Sequence, residues 1–304
     1  MKKILAILLL STFAISAQAK EVVPVVYSWS AGDPAANFDR AIISVANASQ
    51  DKYTFIFEAK PGGGGVVPAQ YTLSTPNAIL ATSSAFFIRP VIYPNESYDL
   101  SQFRGLAPKC TVTSIITSAK YKTWKDVPKD QPLTIGVSGL GTTTHVIALQ
   151  IAARYPNMTV VPFKGTSEAL INVLNGSIDF AVNFFGDIES WKKDNFTGKT
   201  IYTLGVTGDK SFEGIPTLAS QGFNQDLAKM SPPHQYVTST KMPDEKFREI
   251  RDIIQKAEQS VRVKDAFFID RCEPAKPLSE QEVQQWYVEQ TAIWRKLSSG
   301  IKIK

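Results

Sequence analysis

The chain has 304 residues, 43% of them hydrophobic and 20% charged, with a formal net charge of +5. That is roughly twice the length of a typical domain and apolar enough for a large core, which excludes a disordered chain and predicts two lobes. The positive charge is mild and scattered, with no dense Lys/Arg run, so nucleic acid is not an expected partner.

The chain opens MKKILAILLLSTFAISAQAK. Lys2 and Lys3 form a basic start, Ile4 to Ile15 a mostly apolar stretch, and Ala17-Gln18-Ala19 a small-residue cleavage site. This pattern is a secretory signal, residues 1–19, cleaved after Ala19. Its apolar part is too short for a stable bilayer anchor, and no Cys follows the cleavage point to carry a lipid. The mature chain, net +3 without the two leader lysines, is expected in the periplasm as a soluble monomer. Its two cysteines, Cys110 and Cys272, would meet an oxidising compartment, where a disulfide is favoured over two free thiols. With His145 and His234 the only histidines, no metal-ligand spacing appears, and no cofactor is expected. Five Asn-X-Ser/Thr sequons, at Asn47, Asn95, Asn157, Asn175 and Asn195, read as chance in a bacterial-type exported chain.

In chain order, Val22 to Tyr27 reads as a strand, and Ser28, Trp29, Ser30 and Gly32 as a turn before a helix from Pro34 to Asn47. Tyr53 to Glu58 alternates as a second strand. Gly62 to Gly65 then form a tight connection, either a structural corner or a backbone surface facing a ligand. Ala78 to Thr82 is a third strand ending in Thr82-Ser83-Ser84, followed by a short helical or irregular segment carrying Arg89. That Arg could grip a carboxylate in bidentate fashion, or sit on the surface paired with Glu96 or Asp99. Phe103 to Ser118 is long and strand-like, a crossing between lobes, and Lys122 to Pro132 is a polar loop.

The central stretch is Leu133 to Gln150, LTIGVSGLGTTTHVIALQ. A β-branched strand leads through Gly136, Gly139 and Gly141 to Thr142, Thr143 and Thr144, then to a helical apolar run, Val146 to Ala152. Strand, glycine turn, hydroxyl cap and helix together make an anion seat, because the first amides of a helix lack intrahelical partners and its dipole favours negative charge there. An ordinary capped helix is the alternative. The segment is neither a Walker A loop nor a GxGxxG fingerprint, so a small carboxylate fits better than a nucleotide.

Met158 to Phe163 is a strand closed by Lys164-Gly165-Thr166, and Ser167 to Asn175 a helix stopped by Gly176. Ile178 to Phe184, with Asn183 near its end, and Ile201 to Gly208 are further strands. This alternation predicts parallel sheets flanked by helices, in which ligands gather at the carboxyl ends of strands. The clusters Ser28 to Gly32, Thr82 to Ser84, Gly139 to Thr144, Lys164 to Thr166 and Asn183 all fall at such ends. Ser231 to Thr240 reads as the return crossing. Asp244 to Arg262 is expected as a helix capped by Asp244, and Ser279 to Lys296 as a helix with a Ser279/Glu282 capping box. Trp286, Tyr287, Ile293 and Trp294 on that last helix are expected in the core.

The order of these pieces resembles the periplasmic solute-binding receptors of tripartite tricarboxylate transporters, the Bug or TctC-like receptors. The resemblance rests on AKPGGGG (59–65), GVSGLGTTTH (136–145), VPFKGTSEALINVLNGSID (161–179) and TLGVTGDKSFEGIPTLASQGF (203–223). It implies an α/β, two-lobed, type II-like binding protein with the ligand closed in a cleft: lobe I of residues 20–108 and 225–304, lobe II of residues 109–224. It implies a carboxylate ligand, di- or tricarboxylate included, membrane permease subunits as partners, and no catalysis. Carried over by position, Ser28 to Gly32 and Gly139 to Thr144 would hold the carboxylate, with Thr82 to Ser84 a third lining turn.

Three departures from the family pattern bear on the ligand. The usual acid of the first turn is here Ala36, the usual acid after the Ile178-Asp179 strand is Asn183, and an Asn-Pro is replaced by Arg89-Pro90. Two acids lost and one Arg gained would favour a ligand with several carboxylates or without an amine. Two other functions are compatible with parts of the sequence. One is a binding protein feeding a membrane sensor. The other is an exported hydrolase using His145 with Ser138 or the threonines, disfavoured because no G-x-S-x-G elbow is present.

Overall fold

A computed structural model describes residues 19–193, 198–269 and 271–299. The leader through Gln18 and the sequon at Asn195 lie outside the described residues. The first half runs β1 (Glu21–Tyr27), α1 (Ala36–Ala48), β2 (Tyr53–Ala59), α2 (Val66–Ser74), β3 (Ile79–Ser83), α3 (Ala85–Ile92) and β4 (Phe103–Thr111). The second runs β5 (Ser114–Ser118), β6 (Leu133–Val137), α4 (Thr143–Ala152), β7 (Met158–Pro162), α5 (Thr166–Asn175), β8 (Phe180–Phe184), α6 (Phe185–Lys193) and β9 (Tyr202–Val206). The chain then returns through β10 (Pro233–Ser239), α7 (Asp244–Glu258), α8 (Val261–Ile269), β11 (Glu273–Pro274) and α9 (Glu280–Ser298).

Two sheets result, ordered β11-β4-β10-β3-β1-β2 and β7-β6-β8-β5-β9. They repeat one plan. In each, three strands share one direction (β2-β1-β3 and β7-β6-β8), and an antiparallel strand, β10 or β5, joins them to a fourth. Both antiparallel strands follow a passage between the sheets, at residues 112–113 and between β9 and β10. The inner parallel strand β1 is a near-continuous apolar run, as burial on both faces requires, with Val23, Val25, Val26 and Tyr27 at 1% exposure or less, whereas the edge strands β2 and β7 are partly exposed. Among the described residues no helix is long and apolar enough to cross a membrane.

Several boundaries moved for identifiable reasons. Helix α1 starts at Ala36, not Pro34, because Asp33 first closes a turn: its N–H donates to the Ser30 carbonyl at 3.1 Å and its own carbonyl accepts from Ala36 at 3.0 Å. The helix expected through Arg262 ends at Glu258, and α8 begins at Val261. Asp244 does not cap α7. It is the first helical residue, and its carboxylate accepts from Arg104 at 2.7 Å. Helix α9 does carry the Ser279/Glu282 capping box, and Trp294 and Tyr287 are buried, but Ile293 is exposed. Helices α2, α6 and α8 were not anticipated. The first grows directly out of a glycine run and contains Pro68, and α6 follows β8 without a break.

The core of the first sheet holds a fully buried ion pair, Lys109 Nζ to Asp39 at 2.8 Å, and the Tyr236 hydroxyl donates to the same carboxylate. Beside it, Cys110 of β4 and Cys272 form a disulfide with Cα atoms 5.5 Å apart and 162 residues of separation. It fastens β11 to the sheet edge and closes a loop containing the whole second sheet. Chain entropy assigns such a long closure up to about 5 kcal/mol, with about 2–4 kcal/mol typical. Replacing both cysteines by Ser should therefore lower stability by about 2–4 kcal/mol in urea unfolding. A loss below about 0.5 kcal/mol would show that the bridge constrains nothing.

Candidate functional site

Residues just past the carboxyl ends of β1, β3, β6 and β8 wall one small inner cavity of about 30 Å³ between the sheets. Helix α4 points its amino end into it. Thr142 caps the helix, accepting from the His145 N–H at 3.3 Å and donating to the Gly139 carbonyl at 2.7 Å. The Thr144 hydroxyl accepts from the Ser138 N–H at 2.9 Å. Gly141 N–H donates to His145 Nδ1 at 3.0 Å. That nitrogen is thus an acceptor, and burial with Arg89 nearby holds the imidazole pKa down at about 4. The turn is therefore rigid, while the amides of Thr143 and Thr144, in the first helical turn, precede any intrahelical acceptor. Through Nδ1, His145 braces the loop at Gly141.

A second amino end faces the first. Ser84 precedes α3, and its Oγ lies 2.5 Å from Oγ1 of Thr143, joining one half to the other. Ser83 and Ala85 line the inner cavity beside Thr142 to Thr144.

An outer cavity of about 530 Å³ opens alongside, lined by Ser28, Trp29, Gly62 to Gly65, Arg89, Ser138, Gly139 and Lys164 among others. Gly62 to Gly65 all have positive φ, and a Cβ on Gly64 would lie 2.3 Å from the Leu140 carbonyl oxygen. The glycine run is thus both corner and contact surface: it lets the halves touch backbone to backbone. Arg89 secures the same contact. It is 7% exposed, donates from Nη1 to the Leu140 carbonyl at 2.9 Å, stacks on Tyr93 and reaches Glu96 at 3.7 Å. It is buried, unlike the surface Arg that was one of its two expected roles.

The inner cavity also holds acids. Asp33, from the turn after β1, reaches across to the second half, where a Cβ on Gly165 would meet both its carboxylate oxygens at 2.7 Å. Asp187 of α6 accepts from the Phe184 N–H at 2.8 Å and from the hydroxyls of Thr166 at 3.0 Å and Ser167 at 3.3 Å. Burial and then the Asp187 charge raise the Asp33 pKa to about 7, and hydrogen bonding from Ser167 offsets part of that rise. Burial raises Asp187 to about 6, against the pull of its hydrogen bonds. The expectation that this cleft lost its acids does not hold. Asp33 lies three positions before Ala36 and Asp187 four after Asn183, and both carboxyls enter the cavity.

His234 of β10 completes the wall. Its ring lies 6.4, 6.2 and 6.1 Å from those of Trp29, Phe38 and Phe184, neither ring nitrogen has a partner, and burial lowers its pKa to about 3.

Of the residues singled out from sequence, Trp29, Ser83, Thr142, Thr143 and Thr144 line the inner cavity, and Ser28, Trp29, Arg89, Gly139 and Lys164 the outer one. Ser30, Gly32, Thr82, Ser84 and Asn183 are in neither wall. Thr82 is a buried strand residue opposite Gln235. Asn183 is buried, accepting from Thr117 at 2.7 Å and donating to the Thr166 carbonyl at 2.8 Å, which braces the start of α5. Asp33, Asp187 and His234 were missed. Only the approach of distant segments brings them together, and no local spacing signals it.

The model of the tripartite tricarboxylate transporter family receptor matches residues 43–302. The chain belongs to this family. Among solved structures, the periplasmic binding protein BugD superposes with a TM-score of 0.81 at 17% identity, covering 93% of this chain and 99% of that one. Rpa4515 of R. palustris, solved with adipate, gives 0.78 at 18% identity, covering 93% and 97%. At such identities the likeness establishes the fold, which is that of a periplasmic binding protein. A UPF0065 protein from the gbd 5′ region of Cupriavidus necator is 27% identical over 187 residues. That alignment covers 55% of this chain and 54% of the relative, about half the length of each.

A carboxyl group whose pKa is higher folded than unfolded binds its proton more tightly in the folded state. Asp33 and Asp187 therefore withdraw stability as pH rises from 3.8 through about 6 and about 7. The depressed histidines act in the opposite sense below pH 6.5, but they are common to wild type and variant. In the ligand-free Asp33→Asn/Asp187→Asn protein, the melting temperature relative to wild type should thus be higher at pH 8 than at pH 5. A difference that is flat or falls over that range would contradict the burial of charge here.

Proposed function

We propose that this receptor is exported, captures a small organic carboxylate between two closing lobes, and delivers it to the permease subunits of a tripartite tricarboxylate-type transporter. The lobes are residues 20–108 with 225–304, and residues 109–224. The observation that carries the reading is the meeting of the hydroxyl-lined amino ends of α3 and α4 at a cavity between the sheets. Each helix end carries about half a positive charge, and the first-turn amides of Thr143 and Thr144, which precede any intrahelical acceptor, suit a carboxylate. The leader sequence, the family membership and the adipate complex of the R. palustris protein support the same reading.

Binding without turnover is the proposed chemistry. Its support is that His145 Nδ1 accepts from Gly141, Thr142 and Thr144 pair with each other, and Thr143 pairs with Ser84. The Gly62–Gly65 turn against Leu140, with Arg89 across it, forms a backbone seam on which the lobes close over ligand. An inner cavity of about 30 Å³ holds little more than water, so capture requires the lobes to part first.

A ligand bound only by the folded state raises the melting temperature. Thermal-shift screening of mono-, di- and tricarboxylates should find a stabilising acid, whereas amines lacking a carboxylate should have no effect. Thr143→Val should weaken that acid about tenfold in calorimetry, equivalent to about 1.4 kcal/mol. Stabilisation by amines alone, or full affinity in Thr143→Val, would defeat the proposed grip.

A further inference from the structure

The cleft is electrically polarised in a way that a plain carboxylate would leave half unused. On one side stand the amino ends of α3 and α4. On the other, Asp33 from the first half and Asp187 from the second enter the same inner cavity. Among the described residues that line it there is no Lys or Arg. Of the cations around it, Lys109 pairs with Asp39, Arg40 donates to the Ala31 carbonyl and lies over Phe57, and Arg89 and Lys164 line the outer cavity instead.

Two further observations point to a ligand group. His234 is 3% exposed with both ring nitrogens unpartnered, and Asp33, 6% exposed, has its Oδ1 unpartnered. Buried polar atoms are almost always hydrogen-bonded, and leaving one unmade is expensive. Both residues line a cavity whose other walls include Tyr27, Trp29, Phe38 and Phe184. Carboxylates beside aromatic rings favour a cation, through opposite charge and through the ring quadrupole. Charge agrees: a second carboxylate there would meet two acids.

We propose that this inner cavity is an amine subsite: the ligand is a small carboxylate that also carries a protonated amine, its ammonium seated between Asp33 and Asp187 and within reach of His234. The assignment rests on the receptor reading above and narrows its ligand. Charging both acids is unfavourable in the empty cleft, where burial raises both pKa values and the Asp187 charge adds to the rise at Asp33, and an entering ammonium compensates both. Affinity for an amino carboxylate therefore rises with pH. The other titratable groups near these acids work against no part of this: Tyr27 is raised well above its usual value, and His234 and His145 stay neutral.

The test is calorimetric titration of the full mature chain at pH 5.5 and pH 8.0 with three probe series of three to six carbons. They are amino carboxylates with the amine at the α or the terminal carbon, dicarboxylates, and unsubstituted monocarboxylates. The expected result is an amino carboxylate at least tenfold tighter than any dicarboxylate of equal length, with affinity higher at pH 8.0. Asp187→Asn and Asp33→Asn, tested separately, should each lower that affinity at least tenfold and raise affinity for the dicarboxylates. Such a reversal of preference cannot come from misfolding. Dicarboxylates or monocarboxylates binding as tightly as amino carboxylates, or tighter at pH 5.5, would overturn the amine subsite and leave the receptor reading intact. Binding of no carboxylate in any series would overturn both.

Discussion

The structure depends on bringing two like-signed helix ends face to face. The amino ends of α3 and α4 come from different sheets, yet Ser84 and Thr143 stand 2.5 Å apart at them. Two helix ends each carrying about half a positive charge repel. The Thr143 and Thr144 amides of α4 precede any intrahelical acceptor, while the Ala85 amide of α3 donates to Ser83 Oγ at 3.3 Å. Hydroxyl groups soften that approach, because each can donate or accept as its neighbour demands. An anion between the ends relieves the repulsion and satisfies the amides together. On the proposed reading, affinity for negative charge is built into the backbone.

The rest of the molecule holds that meeting in place. The antiparallel strands β10 and β5, each entering straight after a passage between sheets, make one connected body of two similar halves. The Gly64 to Leu140 approach and the Arg89 hydrogen bond set how near the halves come. Asp33 crosses to the second half at Gly165, where any side chain would collide with its carboxylate. The buried Lys109–Asp39 pair and the Cys110–Cys272 bridge keep the first sheet fixed while the cleft works. Removing one partner of such a buried pair strands a charge, at about 3–5 kcal/mol.

Much of this was legible in the residues. Glycines and three threonines between a β-branched strand and an apolar run announce a capped helix end, and Thr142 is that cap. Ser279 and Glu282 form the box their spacing predicts, and the two cysteines pair. These signals are local, or rest on chemistry that leaves one choice. What stayed hidden is non-local. Asp33 looks like an ordinary turn acid until the opposite half supplies Gly165, and His234 looks like a residue in a polar crossing until Trp29, Phe38 and Phe184 surround it. Asn183, where the resemblance implies an acid in place of an amide, braces α5, and the acid next to it in space is Asp187. Matching positions one by one misses a charge moved by three or four residues.

The most direct measurement is a crystal structure grown with the tightest-binding carboxylate. The account predicts a carboxylate oxygen within hydrogen-bonding distance of the Thr143 or Thr144 amide, with the ligand enclosed between the halves. A carboxylate held instead by surface lysines or arginines, with the amino ends of α3 and α4 left empty, would contradict it.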